Sequence, residues 1–289
     1  MNSTLKILIT SQKGGVGKST ISANLAAYFA HTSGKKTALI DFDHQATSGK
    51  WVKKAYPVGI SCQTIDLPNA SGSGNALLKA KDALRKSMAN NSEVVIADLT
   101  WTDVLPPEFL FEFDLVLVPS SLSRVELDST LEFIGRFSFI FNSRVRVAPK
   151  LVVVPSRVDN LATYESIFSK SFSAEFFLSP PVMYSAEAND FFGSEYFVMT
   201  TQDSIRDNFV EFGQAVEQLG RLESGRADKT ARAPAHQNVS GSILDRFRAI
   251  RNASPNPVVR TAANDSKVTT ATSRIRSVIP SFLVKGRDL

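Results

Sequence analysis

The run Lys13-Gly14-Gly15-Val16-Gly17-Lys18-Ser19-Thr20 concentrates more chemical potential than any other stretch of the chain. Its glycines allow the backbone to curl so that successive N–H groups point inward, the arrangement that receives phosphate oxygens. A helix starting here would add the partial positive charge of its N-terminus. Lys18 has the length to reach β- and γ-phosphates, and the Ser19 hydroxyl is a suitable ligand for Mg²⁺. Gly14, Gly15, Val16, Gly17, Lys18, Ser19 and Thr20 are therefore the candidate phosphate-binding residues. Lys13 supplies a second cation ahead of the glycine pair, where it is poorly placed to serve the same nucleotide as Lys18. Three carboxylates, Asp41, Asp43 and Asp98, lie at or just past the ends of apolar runs farther along the chain.

Positioning these groups requires strands that stop where the chemistry begins. Continuous apolar runs at Leu5–Thr10, Thr37–Phe42, Val94–Asp98, Leu115–Val118 and Leu151–Val154 read as strands buried on both faces. Pro119 and Pro155 follow two of them, and Pro181–Tyr184 suggests one more short strand. Helical spacing of apolar residues marks Ser19–His31, Ala76–Met88, Val125–Phe139 and Asp203–Leu219. Strands alternating with helices predict an α/β fold, a doubly wound and mostly parallel sheet covered by helices on both sides. That reading assigns residues 1–220 to one nucleotide-binding domain.

The remainder differs in character. Glu223–Gln237 loses its apolar residues and reads as a linker; Ser240–Asn252 has the stripe of a short amphipathic helix. The run from Arg274 to Lys285 mixes cations with bulky apolar groups, though Pro280 would interrupt a helix there. Residues 1–220 carry 20 Lys and Arg against 23 Asp and Glu, whereas 221–289 carry 13 against 5. A mildly acidic body with a basic extension suits a polyanionic partner, either nucleic acid or an anionic membrane surface.

Composition removes several classes. With 43% hydrophobic residues, the 289-residue chain has material for one sizeable core. No stretch approaches the roughly 18 uncharged apolar residues of a membrane span, and the first residues lack a secretory leader's pattern, so a cytoplasmic setting is expected. One cysteine, Cys62, leaves no disulfide framework, cysteine-rich zinc site or cysteine-held iron–sulfur cluster within one chain.

The phosphate loop resembles the deviant Walker A motif, Lys-Gly-Gly-x-Gly-Lys-[Ser/Thr], of the ParA/MinD family of P-loop ATPases. Gln12 stands where a standard loop has its leading glycine. The resemblance implies ATP and Mg²⁺ as cofactors and a homodimer in the ATP state. In that dimer Lys13 would reach the partner's phosphates, Lys18 would serve its own, and Ser19 would hold the metal. Asp41-Phe42-Asp43-His44-Gln45 is similar to the family's Asp-x-Asp-Pro-Gln motif, with His44 replacing proline. By that likeness Asp43 orients the attacking water and Asp41 supports the metal, while His44 reads as a solvent-facing loop residue. Val94–Asp98 resembles Walker B, making Asp98 a further metal-site carboxylate. The family continues with Asp-Thr-Pro, but Leu99-Thr100-Trp101 follow here, which predicts a reshaped switch. Ser156 stands where members often carry a base-contacting asparagine.

Three functions fit this pattern. A ParA-type partition or positioning ATPase would bind DNA nonspecifically in its ATP-bound form, associate with the nucleoid, and release when a ParB-like or adaptor protein stimulates slow hydrolysis. The basic tail and the Gln45–Trp51 stretch favour this reading. A MinD-type ATPase would instead cycle on a membrane through a C-terminal amphipathic helix. A small-molecule enzyme on the same scaffold would need a second polar constellation. The histidines at positions 31, 44 and 236 do not provide one.

Overall fold

A computed structural model describes residues 4–67, 73–159 and 175–230. Its strands are β1 (Leu5–Ser11), β2 (Thr37–Asp41), β3 (Ser61–Thr64), β4 (Val94–Thr100), β5 (Leu115–Ser120), β6 (Lys150–Val158), β7 (Phe177–Leu178) and β8 (Val182–Met183). Every pairing is parallel. The order is β3-β2-β4-β1-β5-β6-β7, with β8 also on β6. From central β1 the chain winds first to one side and later to the other. A crevice therefore opens at the carboxyl ends of the central strands, where a parallel sheet binds its ligand.

The helices are α1 (Lys18–Ala27), α2 (Thr47–Lys54), α3 (Ser73–Ala89), α4 (Arg124–Arg136), α5 (Ser138–Phe141) and α6 (Asp203–Thr230). Alternation along the strands feeds two cores. Leu8, Ile40, Val95, Ala97, Val116 and Val153 face α3 and α4, and aromatic residues Trp101, Phe109, Phe133 and Phe137 fill that side. Ile7, Ile9, Leu39, Ile96, Leu117 and Val152 face α1 and α6. Both faces are covered, which is why these strands read as unbroken apolar runs.

Several boundaries differ from the sequence expectation. β5 and β6 run through Pro119 and Pro155 instead of ending before them. β1 pairs with β5 only as far as Leu117, and β7 pairs with β6 only at Val152 and Val153. On those sides a missing N–H interrupts no rung. The first helix widens into a π-turn at Tyr28–Thr32, closed by the Ser33 N–H donating to the Tyr28 carbonyl at 3.0 Å. Val125–Phe139 breaks at Phe137 into α4 and α5. α6 continues to Thr230, through the first part of the expected linker, where Glu223, Arg226, Ala227 and Lys229 favour a helix without an apolar stripe. Edge strand β3, polar and largely uncovered, had no apolar run to mark it. The expected helix Ser240–Asn252, the run Arg274–Lys285 and the rest of the basic tail lie outside the described residues.

One buried carboxylate ties the α1 side of the molecule together. Glu217 of α6 accepts hydrogen bonds from the Tyr28 hydroxyl (2.9 Å), the Ser33 hydroxyl (2.8 Å) and Arg221 (2.8 Å), with Lys35 at 3.3 Å. α6 can approach this closely because position 213 is glycine: a Cβ there would lie 2.5 Å from the Tyr28 ring.

Candidate functional site

The loop between β1 and α1 is shaped by its glycines. Gly15 and Gly17 have φ of 80° and 91°, the left-handed region that side chains resist, and Gly17 caps α1. The loop is also fastened from below. The Ser11 hydroxyl donates to the Lys13 carbonyl at 2.7 Å, and the Ser156 hydroxyl donates to the buried Val16 carbonyl at 2.9 Å. Asn24 bonds the Thr20 carbonyl at 2.9 Å and accepts the Phe197 N–H at 2.7 Å, anchoring the first turns of α1. The phosphate-facing surface is thus set before any ligand arrives.

Above it lies a cleft of about 640 Å³, within the size range of small-molecule sites. Gly14, Gly15, Lys18, Ser19 and Asp43 line it, together with His44, Gln45 and Thr100. Lys18 is only 5% exposed. Lys13 sits apart, half-buried in a narrow crevice with Gln12, Pro119 and Glu126. Arg157 already engages Glu126 at 2.5 Å. Among the described residues no carboxylate pairs with Lys13.

Beneath the cleft, Asp98 and Asp41 occupy opposite positions of the β4–β2 ladder, and both are fully buried. Their situations differ. Asp41 Oδ2 accepts from the Ser48 hydroxyl (2.8 Å) and the Gly49 N–H (2.7 Å), while Oδ1 accepts from the Asp43 N–H (3.0 Å). Gly49 permits this approach, since a Cβ there would meet Thr64 Oγ1 at 2.8 Å. Neither Asp98 oxygen has a hydrogen-bond partner among the described residues. Burial and the Asp41 charge push the Asp98 carboxyl up to about 6, and nearby Ser19, Ser48 and Lys18 offset only part of that rise.

An orphaned, buried carboxylate behind a serine hydroxyl and a lysine is what a hard cation would relieve. Ser19 and Asp98 therefore fit Mg²⁺. Among the described residues no cluster of three or more His, Cys, Asp or Glu could hold a metal. An ion here would complete its shell with phosphate oxygens and water, the habit of Mg²⁺.

Asp43 is half-buried at the cleft wall. Burial alone would raise its carboxyl, but hydrogen bonds from the Thr100 hydroxyl and the Gln45 N–H, with the Lys18 and His44 charges, hold it below its ordinary value. His44 is exposed and lies 3.5 Å from equally exposed Asp66, as a solvent-facing loop residue should.

Two expected site residues have partners of their own. Asp41, expected to support the metal, lies opposite Asp98 and accepts hydrogen bonds from its own loop with both oxygens. Ser156, expected at the base, lies under the phosphate loop, 2% exposed, with its hydroxyl committed to Val16. Sequence reasoning also missed Ser48, Gly49 and Thr100. Only Thr100 had a visible signal: it lies two residues past Asp98 as Asp43 lies two past Asp41.

A model of the CobQ/CobB/MinD/ParA nucleotide binding domain matches residues 7–253. Locally the chain is 55% identical over 51 residues to the sporulation initiation inhibitor protein Soj of Bacillus subtilis, 17% of this chain and 20% of that protein. It is 52% identical over 50 residues to the chromosome-partitioning ATPase Soj of Thermus thermophilus, again covering 17% and 20%. The chain thus spans about a fifth of the length of these relatives. In three dimensions it resembles the septum site-determining protein MinD of Pyrococcus horikoshii, solved with Mg-ADP, at a TM-score of 0.57 and 12% identity. That likeness covers 76% of this chain and 99% of the other, and it shows the shared fold.

Proposed function

The chain belongs to the CobQ/CobB/MinD/ParA nucleotide-binding family, and from that premise we propose that it is a ParA-type ATPase that partitions or positions DNA or another cargo. The observation that carries the nucleotide chemistry is the unpartnered Asp98 carboxylate beneath Lys18 and Ser19. Local identity to a chromosome-partitioning ATPase favours the ParA branch.

In this reading the loop N–H groups and Lys18 bind the triphosphate and stabilise charge that develops on the transferred phosphoryl group. Ser19 and Asp98 would hold Mg²⁺, which would supply neutralisation of the phosphate charge. Asp43, kept ionised at the cleft wall, orients the attacking water. Lys13, which has no carboxylate partner of its own among the described residues, serves the nucleotide of a second copy. ATP then joins two subunits, and hydrolysis separates them. The ATP-bound dimer binds duplex DNA nonspecifically through the basic extension, and a ParB-like or adaptor protein accelerates turnover.

The test compares ATP-dependent binding of the full chain to duplex DNA and to anionic liposomes, alongside its mass in solution. The expected result is a dimer with ATP and Mg²⁺ that binds DNA with strong salt dependence, and a Lys13→Ala variant that neither dimerises nor turns over. A protein that stays monomeric at saturating ATP, or that binds only liposomes, overturns the reading.

A further inference from the structure

We propose that Thr100 is a positioning residue for Asp43, its hydroxyl fixing the carboxylate that faces the nucleotide cleft. This rests on the reading of Asp43 as the group that orients water. The pairing follows from strand register. Asp41 lies opposite Asp98 at the last rung of the β2–β4 ladder, and the Phe42 N–H still donates to the Asp98 carbonyl at 2.8 Å, so the chain past β2 stays beside β4 and brings Asp43 to Thr100. Side chains two apart share a face of a strand. The intervening Phe42 and Leu99 turn the other way, into the core.

Both Asp43 oxygens are held, and from different elements. Thr100 Oγ1 donates to Oδ2, while the Gln45 N–H donates to Oδ1 at 2.9 Å. The two sides of the Thr100 contact are unequal in rigidity. The end of β4 is pinned: the Thr10 hydroxyl donates to the Leu99 carbonyl at 2.8 Å, and the Trp101 N–H donates to the Ser11 carbonyl at 2.9 Å. The Trp101 ring is 4% exposed and packs edge-on against Phe133 and Phe137, at 6.0 and 5.1 Å between centroids. Asp43 instead opens a loop whose residues His44 and Gln45 are exposed and whose Ala46 adopts a left-handed φ of 51°. A donor on a fixed strand end therefore sets the orientation of an acceptor on the more exposed loop.

Thr100 acts through Asp43, and its β-branched side chain narrows the hydroxyl's own rotamers. The residues that follow Asp98 here depart from the family's Asp-Thr-Pro, and this contact gives that departure a role. Misplacing a water-orienting group by about 1 Å can cost on the order of 100-fold in rate.

Thr100→Val keeps the shape and removes the donor; Thr100→Ser keeps the donor. Thr100→Val, with Thr100→Ala as a second variant of the same kind, should lower kcat for ATP hydrolysis by about tenfold or more while ATP affinity changes by less than about twofold. Thr100→Ser should restore most of the rate. In the nucleotide-free protein, hydrogen exchange across residues 43–47 should accelerate in Thr100→Val and not in Thr100→Ser, with residues 13–20 unchanged. In an Asp43→Ala background, Thr100→Val should add nothing. Wild-type turnover in Thr100→Val, no rescue by serine, or unaltered exchange at 43–47 overturns the proposal. The underlying reading fails separately: Asp43→Ala with wild-type turnover removes the role of Asp43, whereas an inactive Asp43→Ala beside an active Thr100→Val removes only that of Thr100.

Discussion

Replacing Glu217 with glutamine probes the joint between α1 and α6. The carboxylate is 8% exposed, and burial alone would raise its pKa. Hydrogen bonds from Arg221, Ser33, Tyr28 and Lys35 more than offset this and bring it from 4.5 down to about 2. That difference converts to about 3 kcal/mol of folding free energy. Arg221 is 71% exposed, so solvent screens its share and leaves about 2–3 kcal/mol. The folded value lies below the unfolded one. The stabilisation is therefore complete above about pH 4.5 and drains away as pH falls toward about 2.

Urea denaturation of wild type and Glu217→Gln measures the difference directly. At pH 7 the variant should be less stable by about 2–3 kcal/mol, and near pH 3 the gap should shrink to about half or less. Tyr28→Phe should reproduce a larger part of the loss than Arg221→Ala, because the tyrosine hydroxyl bonds inside the core. A gap under about 0.5 kcal/mol at pH 7, or one that does not change between the two pH values, would refute this account of the joint.

Three further outcomes follow from the geometry. Gly213→Ala drives a methyl into the Tyr28 ring and should cost about 1–3 kcal/mol in thermal or urea unfolding; a neutral substitution would mean α6 can back away freely. Ser156→Ala strands the buried Val16 carbonyl, so it should cost about 1–3 kcal/mol in stability and weaken ATP binding several-fold. It should leave the preference for ATP over GTP unchanged, and a changed preference would return Ser156 to the base. Asp98→Asn removes a buried, unpartnered charge, so the nucleotide-free protein should melt at a higher temperature while losing Mg²⁺-dependent nucleotide binding. Calorimetry with and without Mg²⁺ reads both effects, and a variant that melts lower counts against the orphaned carboxylate.

The parts legible in the sequence were those governed by local rules. A glycine loop before a helix, apolar runs buried on both sides, and helical periodicity all record constraints acting within a few residues. Contacts made across the ladder left weaker traces. Asp41 shares a visible motif with Asp43, but nothing local announces that Ser48 and Gly49 fold back onto it seven and eight positions later. Ser156 meets Val16 across 140 positions, a relation that no local spacing encodes. Strand β3 was invisible because an edge strand with one neighbour need not be apolar. The extension of α6 leaves no periodic mark for a different reason: a helix can outlast its apolar stripe when its residues favour helix on their own.

The two-handed grip of Asp41 has a mechanical corollary. One oxygen holds the Asp43 amide, the other the first turn of α2, so the short stretch between is leashed at both ends to a single side chain. Such a segment can pivot but cannot slide. The start of α2, whose Lys50 and Lys53 face solvent, and the edge of the cleft therefore hang from one and the same carboxylate.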